Sequence, residues 1–333
     1  MFRYCNLLLH PMNEFLKSRR LYMLFILPFL VMAIAFVSEY FPDEPVNVVH
    51  VKGCINIAFI NDLDKFWLTV IGFLAMLGIA YLIFFLNERF KLLYQTTTLP
   101  SLIYVLLTSG IMVNLGFDYL LVAVFIVGLA TERLQLAINN IKCNHALFDF
   151  GALIMLAVAI YPKFVLLVVW AFCVLFFSGR STLKDIMALL VGFLTPVVFL
   201  VFYYFRTDRL ALLPDIFVKN LWVGEYIQHL PFIELVRLGM LLLLLLVALY
   251  NLSVKYSILI VSHRRGILAL VSMLFFLSLT LFFIPGNYYD FMYMIALPLS
   301  FIYAQYFLTQ RIAILGNVMF ALLLCACFLT YLV

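Results

Sequence analysis

Three carboxylates, Glu39, Asp43 and Glu44, fall within six residues of one another just past a long apolar run. They open Ser38–Lys65, the first long polar stretch of the chain. A carboxylate held at a membrane surface can act as general base toward an acceptor hydroxyl. It can also help hold a divalent cation against a lipid phosphate. The plainer reading makes these acids a solvated loop. The middle of the stretch, Val46–Ile60, is rich in β-branched residues around Gly53. It is expected as a short hairpin or as a segment packed on the membrane.

A second polar stretch, Arg206–Arg237, carries Arg206, Arg209, Lys219 and Arg237, interleaved with Trp222, Tyr226 and His229. Arginine grips phosphate through a bidentate fork, so a polyprenyl diphosphate is one suitable target. An interfacial helix over Leu210–Leu221, with snorkelling bases and an aromatic belt residue, accounts for the same residues. The triplet Tyr288-Tyr289-Asp290 is an outer aromatic anchor, or lines the same outer cavity as the two stretches. Catalysis is therefore assigned to Glu39, Asp43 and Glu44. Substrate contact is assigned to Arg206, Arg209, Lys219, Tyr288 and Tyr289.

Other chemistries lack their residues. The five histidines are scattered and do not form a di-iron set. The six cysteines show neither metal-ligand spacing nor a disulfide framework. No phosphate-binding glycine loop or serine nucleophile elbow occurs. No cofactor is evident, and a divalent metal at the acids is the one addition these residue types allow.

These residues must be positioned by elements that lie in lipid. Of 333 residues, 67% are hydrophobic and 11% charged, with mean hydropathy +1.16. A soluble domain carries about 25% charged residues. Spanning a bilayer takes roughly 20 apolar residues per helix. Backbone groups in lipid must be satisfied within the segment, which selects helices. The apolar runs are continuous, unlike the alternating strands of outer-membrane barrels. The chain reads as an all-α integral membrane protein, a single polytopic domain over 1–333. Membrane lipid is its first partner. The net charge of +5 calls for no nucleic acid, because Lys and Arg collect in cytoplasmic loops.

About eleven transmembrane helices are expected: Leu21–Val37, Phe66–Leu86, Leu99–Val113, Tyr119–Thr131, Phe148–Tyr161, Phe164–Phe177, Ile186–Phe205, Leu238–Leu252, Ile267–Ile284, Phe291–Leu308 and Ile312–Val333. Met1–Arg20 is polar and basic, so the first run is expected as a retained helix rather than a cleaved signal. With the N-terminus cytoplasmic, 14 of the 21 basic residues fall on inner segments, and 11 of the 16 acidic residues on outer ones. Both long stretches, about 38–65 and 206–237, then form outer loops after helices 1 and 7.

Smaller features follow the same frame. Pro162 and Lys163 separate two short runs, which predicts two helices rather than one kinked helix. The fourth run continues through Glu132–Lys142, with Leu134, Ile138 and Ile141 on one face and Glu132, Gln135 and Asn139 on another. That pattern predicts a helix emerging into the interface. Glu132 and Arg133 are expected as an inner charge pair. Asp149 is expected to cap the helix it starts. Thr96–Thr98 before Pro100 marks a helix start.

Two resemblances bear on function. Gln95–Ser109, Phe148–Pro162 and Ser178–Pro196, with Arg180, Gly192 and Pro196, resemble an uncharacterised family of polytopic inner-membrane proteins of Bacteroidetes-type bacteria. The likeness covers the middle third of the chain and implies a multi-pass protein of the bacterial inner (cytoplasmic) membrane. Some members are described as β-carotene monooxygenases, against which the scattered histidines speak. The family brings no established catalytic residues.

The layout also resembles the GT-C class of membrane glycosyltransferases, which place a catalytic acid just after span 1 and a functional outer loop between spans 7 and 8. That resemblance implies a lipid-linked glycan as partner, a base among Glu39, Asp43 and Glu44, and Arg206 or Arg209 near its phosphate. The departures are that Asp43-Glu44, flanked by Pro42 and Pro45, is the only adjacent acidic pair in the first loop, and that the loop is β-branched rather than amphipathic. A transporter or flippase is the first rival, and Glu132, Arg133 and Asp149 would then matter more than the outer acids. A non-catalytic envelope assembly scaffold is the second, and it would tolerate every single polar substitution. The sequence singles out no protein partner.

Overall fold

A computed structural model describes residues 54, 65–93, 95–115, 118–140, 143–222, 232–256, 261–285, 288–310 and 313–329. The first expected span, Leu21–Val37, and the acids Glu39, Asp43 and Glu44 lie outside the described residues. Among the described residues every regular element is helical. In chain order they are α1 Lys65–Phe90, α2 Leu99–Leu115, α3 Tyr119–Asn139, α4 Asn144–Ile160, a 3-10 turn Pro162–Val165, α5 Leu166–Ser178, α6 Leu183–Arg206, α7 Leu212–Leu221, α8 Phe232–Lys255, α9 Val261–Phe283, α10 Tyr288–Thr309 and α11 Ala313–Leu329. Six of these helices (α1, α3, α6, α8, α9 and α10) are long and apolar enough to cross a membrane. Four shorter apolar helices accompany them: α2, α4, α5 with its leading turn, and α11. This is the build of a multi-pass membrane protein.

Each reversal of the chain has a local cause. Asn87 shapes the turn from α1 into α2. Its Nδ2 donates to Gln95 O at 2.9 Å and Thr97 O at 3.3 Å, while its Oδ1 accepts from Leu93 N at 3.1 Å. Pro100 sits in the first turn of α2, where its missing N–H removes no helical bond. Gly179 ends α5 at φ +76, a left-handed conformation that glycine adopts without strain. Its N–H and that of Arg180 return to the carbonyls of α5. Thr182 then starts α6, its side chain accepting from Asp185 N at 3.3 Å.

The helices run alternately up and down, so the bundle has two ends. Asp118, Tyr161, Lys163, Glu234, Arg237 and Asp290 gather at one, called here the Asp290 end. Asn87, Arg89, Glu132, Arg180 and Gln310 gather at the other, the Arg180 end. α10 is the central helix, buried along 89% of its apolar length, whereas α6 is buried along only 17%. The outer side of α6 shows Leu194, Phe199, Phe202 and Phe205, a surface suited to lipid. Its inner side meets α4 through Gly192 and Gly151. A Cβ on Gly192 would lie 2.3 Å from Phe148 O, and one on Gly151 2.7 Å from Leu189 O. Glycines thus let these two backbones touch.

Several boundaries differ from expectation for one reason. α8 begins at Phe232 rather than Leu238, α9 at Val261 rather than Ile267, and α10 at Tyr288 rather than Phe291. In each case charged or polar residues that look like loop are the first turns of a helix. Glu234, Arg237 and Asp290 are buried among other helices and not exposed to lipid. Asp149 does not cap α4. That helix starts at Asn144, so Asp149 lies inside it and pairs with Arg133 at 3.6 Å. Nor do Glu132 and Gln135 face an interface. Both are buried, because Arg89 meets the first and the Gly266 carbonyl the second. The Pro162 break does separate two helices of opposite direction. Asp149 near the start of α4 and Arg180 beyond the end of α5 are both held by α3 residues at its Arg180 end.

Candidate functional site

The Asp290 end holds a closed cluster of four ionisable side chains from three places in the chain. Asp118 is the N-cap of α3, its carboxylate accepting from Leu120 N at 3.4 Å. Tyr161 stands in an extended conformation after α4 (φ −134, ψ 95), and Pro162 opens the turn that folds Lys163 inward. The first turn of α10 supplies Asp290. Tyr161 Oη donates to Asp290 Oδ2 at 2.7 Å, and Lys163 Nζ approaches the same oxygen at 3.4 Å. Asp290 and Lys163 are each 3% exposed and Asp118 4%. Asp290 Oδ1 has no hydrogen-bond partner among the described residues.

Lys163 thus pairs with Asp290, and Asp118 stands near enough to feel both charges in a desolvated place. Burial pushes the Asp118 carboxyl up to about 7, and the negative charge of Asp290 adds to this. The Leu120 and Tyr119 N–H groups and Lys163 pull it back. Burial, followed by the charges of Asp290 and Asp118, holds the Tyr161 phenol well above its ordinary range, so it stays a donor. Asp118 is thus poised between acid and base near neutral pH, as proton-transfer chemistry requires.

A second ion pair shares the first turn of α10. Arg237 and Glu234 lie one turn apart on α8, with Arg237 Nη1 3.4 Å from Glu234 Oε2, and both are buried. The Arg237 guanidinium also stands 5.8 Å from the centre of the Tyr288 ring. Tyr288 and Asp290 thereby link the two buried pairs.

The residues expected to contact substrate divide into two groups. Tyr288 and Tyr289 are buried, not a surface anchor. Arg206 at the end of α6, Arg209 in the turn that follows and Lys219 on α7 are exposed, at the same end of the bundle. The short helix α7 matches the one expected over Leu210–Leu221. Of the first polar stretch before Lys65, the structure describes Cys54, which is buried. Its N–H donates to Ala159 O at 2.8 Å, and its carbonyl accepts from Tyr204 Oη at 2.9 Å. Ala159 lies two residues before Tyr161, and Tyr204 two before Arg206. One residue of the first stretch is thus tied both to the α4 end that carries the cluster and to the α6 end that leads into the second stretch.

Sequence reasoning did not name Asp118, Tyr161 and Lys163 as a site. The usable signal was Lys163, a cation between two apolar runs that needs a buried partner. Among the described residues no group of three His, Cys, Asp or Glu side chains could hold a metal ion.

The charges at the Arg180 end cross-link helices. Glu132 pairs with Arg89 and, at 3.5 Å, with Arg133. Arg180 donates to Ala137 O and Asn140 O at the end of α3, and its Nη1 lies 3.3 Å from Asp185 Oδ1. A guanidinium there satisfies carbonyls that the helix leaves open and complements its dipole. Comparison with protein-family models, with curated proteins and with solved structures finds no match for this chain.

Proposed function

We propose that the protein is a GT-C-like glycosyltransferase, or a close relative, that handles a polyprenyl-phosphate-linked glycan at the outer face of the bacterial inner membrane. In this reading about eleven helices cross the bilayer, the N-terminus is cytoplasmic and the Asp290 end faces outward. The distribution of Lys and Arg along the chain supports that orientation. The observation that carries the reading is the double tie of Cys54 to Ala159 and Tyr204. It brings Cys54 of the first polar stretch, the exit into the second and the buried acid cluster to one end of the bundle. There one of Glu39, Asp43 and Glu44 serves as base, and Arg206 and Arg209 face the phosphate. Lys219, Tyr288 and Tyr289 complete the substrate side. A divalent metal at the three acids is compatible with their chemistry.

The test is lipid-linked glycan accumulation in a deletion strain, complemented by wild type, Glu39→Gln, Asp43→Asn and Glu44→Gln. Build-up in the deletion strain, with one amide variant unable to clear it at normal protein level, is the expected result. An unchanged lipid pool removes the transferase reading.

A transporter or flippase is the second reading. It is favoured by the buried Lys163–Asp290 pair at the break between two short helices. Under it all three amide variants complement, while Lys163→Met and Asp290→Asn do not.

A further inference from the structure

We propose that Asp118, Lys163 and Asp290 form a proton-binding site that holds one exchangeable proton between two carboxylates and one ammonium. The charge count in the closed cluster carries the inference. Tyr161 is a neutral donor, so the ionised cluster has two negative charges against one positive, all on side chains at most 4% exposed. Lys163 and Tyr161 both address Oδ2 of Asp290. The Asp118 carboxylate is met by backbone N–H groups of Leu120 and Tyr119, and it meets no cation of its own at salt-bridge distance among the described residues. An uncompensated buried charge is removed most directly by protonation.

The groups that act on Asp118 come from each neighbouring element. They are Tyr119 on α3, Lys163 and Tyr161 from the turn between α4 and α5, and Asp290 on α10. The Glu234–Arg237 pair beyond the first turn of α10 is neutral as a unit. Proton uptake forms an O–H bond at Asp118 with a proton taken from water. Release returns it to water, and Lys163 stays on Asp290 throughout. Burial and the neighbouring Asp290 set the exchange near pH 7.

The site is read by a proton and not by a glycan, so it stands apart from the transferase reading. The full-length protein in lipid nanodiscs is titrated while the carbonyl stretch of protonated carboxyl groups is followed by infrared spectroscopy. One band is expected to disappear as pH rises through about 7. Asp118→Asn is expected to abolish it, and asparagine caps a helix as well as aspartate, so α3 keeps its start. Asp290→Asn removes a negative neighbour and is expected to shift the midpoint downward. Lys163→Met removes the positive one and is expected to shift it upward. A wild-type spectrum with no such titration overturns the proposal, as does the same band in Asp118→Asn. An unmoved midpoint in Asp290→Asn overturns the shared site even if Asp118→Asn fails to fold.

Discussion

An ammonium buried as deeply as that of Lys163 persists only with a carboxylate against it, and Asp290 provides it at 3.4 Å. Taking charges out of water costs several kcal/mol per ion, and removing one partner strands the other, a loss of about 3–5 kcal/mol. Asp290→Ala should therefore destabilise the detergent-solubilised protein by about that amount in thermal unfolding. Exposed Glu88, changed to Ala, should stay within about 0.5 kcal/mol of wild type. The double change Lys163→Met, Asp290→Leu should recover much of the loss, because no lone charge remains. An Asp290→Ala protein as stable as Glu88→Ala would contradict the pairing. Asp118 adds a pH dependence whose sign is opposite to that of a salt-bridged acid. Its carboxyl is raised from 3.8 to about 7, so between those values the folded state binds more protons than the unfolded one. Stability should fall as pH rises from about 4 to 7, by at most about 1.4 kcal/mol per pH unit, and then level off. Asp118→Asn should flatten that slope in the same melting series.

The contact between α4 and α6 shows how one atom sets the distance between two helices. A Cβ on Gly192 meets the Phe148 carbonyl at 2.3 Å, and backbone cannot yield as a side chain can. Gly192→Ala should cost about 1–3 kcal/mol through forced separation of the pair. Gly239 on α8 has nothing within 4 Å of its Cβ position. Gly239→Ala should be neutral or gain up to about 1 kcal/mol from helix propensity. Parallel melts of the two variants check this, and equal effects would mean that α4 and α6 are not in backbone contact. Among the described residues, element existence was readable from apolar run length, since spanning or packing in lipid demands it. Element starts were less readable at α8, α9 and α10. Glu234, Arg237 and Asp290 look like loop residues, because hydropathy treats every charge as solvent-facing. The partners of Asp290, Tyr161 and Lys163, lie more than a hundred residues away, and no local pattern announces them. The same blindness hid the buried cluster, while Arg206, Arg209 and Lys219 stood out because an exposed cation needs no distant partner to be noticed.

At the scale of the whole molecule the two ends of the bundle differ in how they use charge. At the Arg180 end, Arg89, Arg133 and Arg180 bind carboxylates and carbonyls, and Lys91 and Lys184 stay exposed nearby. At the Asp290 end two ion pairs are sealed inside, and Arg206, Arg209 and Lys219 sit at the rim. Lys and Arg near span ends are retained on the cytoplasmic side. With His263-Arg264-Arg265 also on the Arg180 side, that end should be cytoplasmic. Single cysteines placed at Arg209, Lys219, Lys91 and Lys184 test the orientation, each read against the parent to subtract native thiols. A membrane-impermeant maleimide on spheroplasts should label Arg209→Cys and Lys219→Cys. It should reach Lys91→Cys and Lys184→Cys only after the membrane is opened. The reverse pattern would turn the molecule over. The acid cluster would then face the cytoplasm, and the transferase reading would lose the outer face it depends on. The proton site would survive that inversion, because it rests on four side chains that move with the bundle.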